Sequence, residues 1–347
     1  MKFTIIPKET VLLNPLQEMQ RRTVTSEIRF DPLTGRSSRI CHFMKLQWQK
    51  PDLADLAEKT APFCPFCPDR VMEITPCFPP EILPEGRLVD ADRVLFPNLA
   101  PYEALSAVAV MGAAHHIPMT ALTPGTIAAT LELCLTFFRL LERIHHPESV
   151  YHLVNWNYMP PSGSSIVHPH LQVFAGNTAP QLLREEIAAA RAYRQTRGTV
   201  YWDDLVAAER AEGSRYLGKI GRTEWFCAFA PMGVAGDVVA VVEGVGRTLE
   251  LTGRDLADLA LGLTHAMAVY DEMGIFSFNM NFFSGAAEDE DFRFHLVFSP
   301  RTYFNQAIGT PDVGALQHLY REGICMTFPE ALARQLRPRF TGISATA

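Results

Sequence analysis

One five-residue stretch, His168-Pro169-His170-Leu171-Gln172, constrains this chain more than any other. Successive side chains of an extended strand point to opposite faces, so His168, His170 and Gln172 share one face and Leu171 and Val173 the other. Pro169 cannot donate to a ladder, which predicts an edge strand or a local irregularity there. A neutral imidazole with one nitrogen held by an acceptor and the other free can attack phosphorus and form a covalent phosphoramidate. His170 is the candidate for that step. Gln172 can donate its amide to a phosphoryl oxygen as charge accumulates. The N–H groups and hydroxyls around Gly163, Ser164 and Ser165 can cradle the other oxygens. Asn155 and Asn157 lie one strand away, where they can bind ribose or phosphate or simply cap the strand.

Cys64-Pro65-Phe66-Cys67 presents two thiolates from one tight turn, the spacing of a tetrahedral zinc site. The chain has no second C-x-x-C, so histidines must complete the set, with His115, His116 and His168 as candidates. Flanking prolines argue against the strand-to-helix junction of a thioredoxin-like redox pair. Four protein ligands leave no open position for water, so the zinc expected here is structural. With His168 as a ligand, the metal pins the strand that displays His170.

A net charge of −7 excludes a broad nucleic-acid surface, which needs clustered positive charge. Lys8 and Glu9 interrupt the apolar runs of the N-terminus, so no signal peptide is expected. No apolar run approaches the roughly 20 residues that span a bilayer, and no membrane partner is expected. Seven cysteines without an export signal predict reduced thiols and a cytoplasmic protein.

The first hundred residues are proline-rich and aperiodic, predicting loops with short strands at 26–30 and 38–48. A strand is expected at 103–112 and a helix at 126–146, where Ile127, Leu131, Leu135 and Phe138 recur at helical spacing. A strand at 149–157 precedes the histidine strand, and a helix is expected at 181–196. The order then repeats: helix 255–273, strand 275–283, acidic loop, strand 292–299. Asn155-Trp156-Asn157 is matched by Asn279-Met280-Asn281, and PHLQVF by RFHLVF. This parallel predicts a duplicated α+β unit, residues 1–200 and 201–347, with the boundary within 195–215. Only the first copy keeps paired histidines, so one active site per chain is expected.

These residues resemble the galactose-1-phosphate uridylyltransferase family, a branch of the histidine-triad superfamily with two tandem α+β domains. The resemblance runs from about residue 26 to 337. It includes Asp31-Pro32-Leu33-Thr34-Gly35, the CPFCP segment, Phe96-Pro97-Asn98 and a strand ending at His115. It continues through SGSSIVHPHLQ, Tyr270-Asp271, the H-x-x-F-x-P of His295 to Pro300, and Pro329-Glu330-Ala331 leading to Leu336-Arg337. It implies two histidine-triad-like domains, each an antiparallel sheet packed with helices. It further implies that His170 is the nucleophile that becomes nucleotidylated and that Gln172 contacts the phosphoryl group. Cys64, Cys67, His115 and His168 match the family's zinc set, with one ion per chain. Asn98 and Asn155 match positions near the nucleotide. The implied reaction is ping-pong: a nucleoside diphosphate sugar gives a nucleoside monophosphate (UMP or AMP) to histidine, and a hexose 1-phosphate collects it. A homodimer is also implied.

The chain departs from the pattern in three places. Leu171 stands where the uridylyltransferases usually have glycine; leucine there is also seen in phosphorylases that use inorganic phosphate as acceptor. The family's phosphate-gripping Arg-x-x-Arg-Pro is replaced by Met44-Lys45-Leu46 and Lys50-Pro51, which lose the bidentate fork. Arg293-Phe294-His295 breaks the His-x-His of a second metal site, so no second metal is expected, and Arg293 faces an anion or solvent. The competing expectations are therefore an ADP-sugar or dinucleoside polyphosphate phosphorylase and an inactive nucleotide-binding homologue.

Overall fold

A computed structural model describes residues 1–41, 48 and 50–341. The segment Met44-Lys45-Leu46 lies outside the described residues. The chain opens with an antiparallel ribbon, β1 (Thr4–Asn14) and β2 (Gln20–Phe30), paired from Thr4↔Phe30 to Asn14↔Gln20. A third strand, β3 (Ser37–Ile40), supports only Glu27–Phe30, and the strand Gly323–Cys325 adds in parallel to β3. The strand expected at 26–30 lies within β2 and the one expected at 38–48 starts as β3, with residues 42–47 outside the described residues; the strand over Thr4–Asn14 and the reach of β2 back to Gln20 stand where loops were expected. Almost every residue of β1 is exposed on both faces, so no alternating pattern marks it.

The first half continues with α1 (Leu53–Thr60), α2 (Val71–Ile74), β4 (Leu88–Asp90), β5 (Arg93–Pro97), β6 (Leu105–Val110), α3 (Pro124–Arg143), β7 (Tyr151–Tyr158) and β8 (His170–Gly176). The Thr123 hydroxyl caps α3 by accepting from Thr126 N, and Pro124 occupies its first turn. Helix α3 is long and apolar enough to cross a membrane, yet Ile127, Leu131, Leu135 and Phe138 are buried in the core.

The second half holds α4 (Gln181–Arg197), α5 (Tyr201–Glu212), β9 (Tyr216–Ile220), β10 (Thr223–Cys227), β11 (Val238–Val242), α6 (Gly253–Glu272), β12 (Ser277–Phe283) and β13 (His295–Arg301). Two further helices, α7 (Ala315–Tyr320) and α8 (Pro329–Thr341), follow. Thr252 and Asp255 form a capping box at the start of α6.

Ten strands join in one sheet, ordered β4-β5-β6-β8-β7-β12-β13-β11-β10-β9, so the order of the first half recurs in reverse from the other end. The halves meet at β7 and β12, where Asn155 faces Asn281 and Asn157 faces Asn279. Val154, Trp156, Leu171, Val173, Met280, Leu296 and Phe298 turn to the face covered by α3 and α6, forming one continuous core. On the opposite face, α4 through Leu183 and Ala190 and α5 through Tyr201, Trp202 and Leu205 roof the second half. The Cys64–Cys67 turn covers part of the first half, packing Phe66 with Val94, Phe96, Val108 and Val110. The architecture is α+β, antiparallel sheet packed against helices.

Pro169 ends outside the ladder. Strand β8 starts at His170 and is central, between β6 and β7, rather than an edge. The proline needs no donor there, and its carbonyl accepts from Met111 N at 3.0 Å.

Candidate active site and metal cluster

The turn after α1 is built to offer sulfur. Arg70 donates to the carbonyls of Ala61 and Cys64, and the amides of Arg70 and Val71 both reach Cys67 O at 2.9 Å. Phe66 N points at Cys64 Sγ, 3.4 Å away. Across from this turn stand His115, beyond the end of β6, and His168. Cys67 Sγ lies 3.4 Å from His115 Nδ1, and His168 Nδ1 is 3.8 Å from both sulfurs. The four ligand atoms fall within 4.8 Å of one another. A tetrahedral zinc with legs of about 2.3 Å to sulfur and about 2.0 Å to nitrogen requires separations of this size.

The outer nitrogens fit the same purpose. His168 Nε2 is held by Gly112 O at 2.7 Å and His115 Nε2 by Thr60 Oγ1 at 2.9 Å, leaving both Nδ1 atoms toward the sulfurs. Burial pushes His168 down to about 4, so its imidazole is neutral, the form that ligates. Burial, and then the neighbouring Cys64, lift the Cys67 thiol to about 11, a shift that a bound dication reverses. His116 lies outside the cluster.

His170 begins β8 beside Val110 of β6 and is buried. Its Nδ1 donates to His168 O at 2.7 Å, so the lone pair resides on Nε2. Burial lowers its affinity for a proton, which favours the neutral nucleophilic form. The Phe66 ring meets the imidazole edge-on at 5.1 Å. The two histidines are therefore mechanically joined: His168 gives its ring to the sulfur cluster and its carbonyl to His170.

Gln172 follows on the same face, paired with Asn155 of β7. Asn155 Oδ1 accepts from Asn281 Nδ2 at 2.9 Å, and Asn157 Oδ1 from Asn279 Nδ2 at 2.6 Å. Asn279 also donates to Ser162 O, and Arg301 Nη1 holds Asn279 Oδ1 from behind at 2.6 Å. These second-half partners were missed in the sequence, although the matching N-x-N pairs were the available signal. They hold both asparagine oxygens and leave the Asn155 and Asn157 amides as the groups to offer a ligand. In the loop, Gly163 (φ +90°) spends its N–H on Pro160 O, and the Ser164 hydroxyl donates to Ile166 O. Ser165 is exposed. Met159 enters this loop buried at φ +66°, a conformation that costs about 1–3 kcal/mol and fixes the turn after β7. Asn98 follows β5, half-buried, its Oδ1 capping Ala100 N.

Two expectations change, and the departure at Leu171 loses its bearing on the acceptor. Leu171 points away from His170, as the alternation predicts, fully buried among the core residues that face α3, so it cannot touch an acceptor. Leu171→Ala is expected to cost about 2–5 kcal/mol in chemical denaturation while leaving the chemistry of the folded protein in place. Lys50, considered for phosphate, is engaged by Asp271 at 2.5 Å. Arg293 faces neither free anion nor open solvent: its Nε and Nη2 grip Asp203 of α5 at 3.2 and 3.1 Å.

His295 occupies in β13 the place that His170 has in β8, with the same bond from Nδ1 to the carbonyl two residues back, here 3.1 Å. Its surroundings differ. Trp202 stacks on it at 4.0 Å, Phe283 at 4.6 Å, and Glu186 Oε2 lies 3.5 Å from Nε2. Asp31 and Arg36 line the same pocket, so the DPLTG turn belongs to this second-half cavity rather than to His170. Burial drives His295 down to about 3 and Glu186 up to about 8, Glu186 being raised further by Asp31 and lowered by Arg36. Both groups are neutral near pH 7. Because the folded pKa of Glu186 is raised, the native state loses stability as pH climbs from about 4.5 through about 8. Glu186→Gln is expected to raise the melting temperature by several degrees at pH 9 and much less at pH 5; an equal change at both would contradict this pairing.

No protein-family profile matches the chain. An uncharacterised protein of Archaeoglobus fulgidus is 29% identical over 313 residues, covering 90% of this chain and 91% of that one. Among solved structures, a GalT-like protein from Arabidopsis thaliana superposes with a TM-score of 0.67 at 17% identity, over 92% of this chain and 99% of its own. An Arabidopsis thaliana ADP-glucose phosphorylase with bound ADP-glucose gives 0.67 at 17%, over 90% and 98%. A uridylyltransferase gives 0.64 at 20%, over 90% and 97%. This is the galactose-1-phosphate uridylyltransferase fold. In this chain, that fold juxtaposes a two-cysteine, two-histidine cluster with an isolated buried imidazole on one strand.

Proposed function

We propose that the chain is a member of the galactose-1-phosphate uridylyltransferase family and transfers a nucleoside monophosphate through His170. The observation that carries this reading is the bond from His170 Nδ1 to His168 O, which leaves Nε2 as the nucleophilic nitrogen. In the first step Nε2 attacks the α-phosphorus of a nucleoside diphosphate sugar. A P–N bond forms, the bond to the bridging oxygen breaks, and sugar 1-phosphate leaves with that oxygen. The imidazolium character that develops is met at Nδ1–H by the His168 carbonyl, and Gln172 donates to a non-bridging oxygen. In the second step a phosphate oxygen of a hexose 1-phosphate attacks the same phosphorus and His170 departs neutral. Asn98, the Asn155 and Asn157 amides and, in the Gly163-Ser164-Ser165 loop, the exposed Ser165 bind the nucleotide and its phosphates, while the committed Gly163 N–H and Ser164 hydroxyl shape the loop. Cys64, Cys67, His115 and His168 hold one zinc whose role is structural, and the chain acts as a cytoplasmic homodimer.

Inorganic phosphate as acceptor is the second reading, supported by Lys50 being tied to Asp271 instead of standing free for a sugar phosphate. One experiment separates the two. The protein is incubated with α-labelled UDP-glucose or ADP-glucose and the labelled chain is chased with galactose 1-phosphate or with phosphate. Release by the hexose phosphate alone supports the transferase, and release by phosphate alone the phosphorylase. Absence of label from both donors defeats both and leaves a nucleotide-binding protein.

A further inference from the structure

The second half carries no paired histidines of its own, yet its strand β12 reaches into the site of the first half. Three alternating side chains of β12 cross the seam, and all three donate. Ser277 Oγ donates to Tyr158 O at 2.6 Å. Asn279 Nδ2 donates to Asn157 Oδ1 at 2.6 Å and to Ser162 O at 2.9 Å, and Asn281 Nδ2 to Asn155 Oδ1 at 2.9 Å. The register shows where these bonds lead. Asn155 pairs with Gln172, so two residues further along β7 Asn157 stands opposite His170. Residues opposite one another on a sheet face have Cβ atoms about 4.5–5.5 Å apart. His170, Asn157 and Asn279 therefore form one row across three strands.

An asparagine side chain can turn either way, because its oxygen accepts and its nitrogen donates. Arg301 removes that freedom. A guanidinium has donors only, so the Asn279 oxygen must face Nη1, 2.6 Å away. Asn279 Nδ2 must then face Asn157, whose oxygen must accept. The amide nitrogen of Asn157 is left for the ligand side, beside His170. Arg301 is itself locked, with Nε and Nη2 reaching Asp312 Oδ1 at 2.9 and 2.7 Å. Asp312 is buried and also accepts from Thr302 N. Asn279 and Arg301 border a cavity of about 220 Å³ instead of packing in the core.

We propose that Arg301 is a positioning residue for transfer at His170: through Asn279 it fixes the Asn157 amide as a donor to the phosphoryl group. This role rests on the reaction proposed above and gives the second half a part in it. A fixed donor meets the negative charge that gathers on a non-bridging oxygen as the P–N bond forms. An amide free to turn would at times point its oxygen at the phosphate, where lone pairs repel. The arginine thus supplies the direction of the relay.

Single-turnover labelling tests it, with whichever of α-labelled UDP-glucose and ADP-glucose labels the wild type. Arg301→Met is expected to slow labelling at saturating donor about 10–100-fold, with the half-saturating concentration moving less than about threefold. Arg301→Lys keeps an obligate donor and is expected to recover most of that rate, although it loses the fork to Asp312. Asn279→Asp reverses the relay: a carboxylate accepts from Arg301 but cannot donate, so the Asn157 amide swings toward it. That variant is expected to be as slow as Arg301→Met. It keeps the partner of Arg301, so it carries the test even if Arg301→Met does not fold. Equal rates for the Met and Lys variants, or rates that fall only in step with melting temperature, overturn the positioning role and leave a structural ion pair. Wild-type labelling in Asn279→Asp overturns the relay. A wild-type chain that takes no label overturns the reaction at His170 and this role with it.

Discussion

His170→Ala is expected to eliminate covalent label from an α-labelled nucleoside diphosphate sugar and to lower turnover by on the order of 10⁴-fold or more, the scale of losing a nucleophile. The size follows from the chain's own geometry. His168 is the neighbouring imidazole, and both its nitrogens are committed, Nε2 to Gly112 O and Nδ1 toward Cys64 and Cys67. His115 is likewise occupied by Thr60 and Cys67. His295, the counterpart in the second half, is sealed between Trp202 and Phe283, and its Nε2 is faced by Glu186 Oε2 at 3.5 Å, so no phosphorus can reach that nitrogen. Nothing on this strand face can therefore substitute. Gln172→Ala removes one donor to the phosphoryl group and is expected to slow labelling about 10²–10³-fold without abolishing it. Mass spectrometry of the intact chain reads both outcomes. Undiminished label in the His170 variant sinks the covalent reading, and retained turnover without label replaces it with direct transfer.

The sequence made the strand face legible because period-two alternation is local: His168, His170 and Gln172 needed only the knowledge that the segment is extended. The helical spacing of Ile127, Leu131 and Leu135 was legible for the same reason, and α3 follows it. What escaped was long-range. The matched Asn-Trp-Asn and Asn-Met-Asn segments signalled a repeat, but not that the two copies hydrogen-bond to each other across β7 and β12. The DPLTG turn carried the family resemblance without a stated place in the fold; in the structure Asp31 and Arg36 line the cavity of His295, some 260 positions later in the chain. The ribbon had no readable pattern because a strand exposed on both faces has no reason to alternate. Leu171 was legible on the opposite face by the same alternation, and only its use as a clue to the acceptor misled. One residue of register separates the chemical face from the core, and a strand places immediate neighbours on opposite sides.

Cys64→Ser with Cys67→Ser is expected to abolish a stoichiometry of one zinc per chain and to reduce both stability and turnover. Zinc contributes about 10–16 kcal/mol in finger peptides that have no other core. Here the turn is also held by Arg70 and by Phe66 packed on Val94, Phe96, Val108 and Val110, so the expected loss is smaller, about 4–5 kcal/mol, or roughly a 10 °C fall in melting temperature. The effect on turnover comes through one residue. Without its ligand bonds the His168 ring keeps the bond to Gly112 O and its edge contacts with Phe66 and His115, and the His168 carbonyl that orients His170 is less well fixed. A kcat loss of about 10–100-fold with a smaller change in KM is therefore expected for protein that is still folded at the assay temperature. Elemental analysis, thermal melts and labelling rates measure the three consequences on one preparation. A variant that keeps its melting temperature and its labelling rate would show that the four ligands are not a metal centre. Two zinc ions per wild-type chain would place a second metal in the half where Arg293 is paired with Asp203.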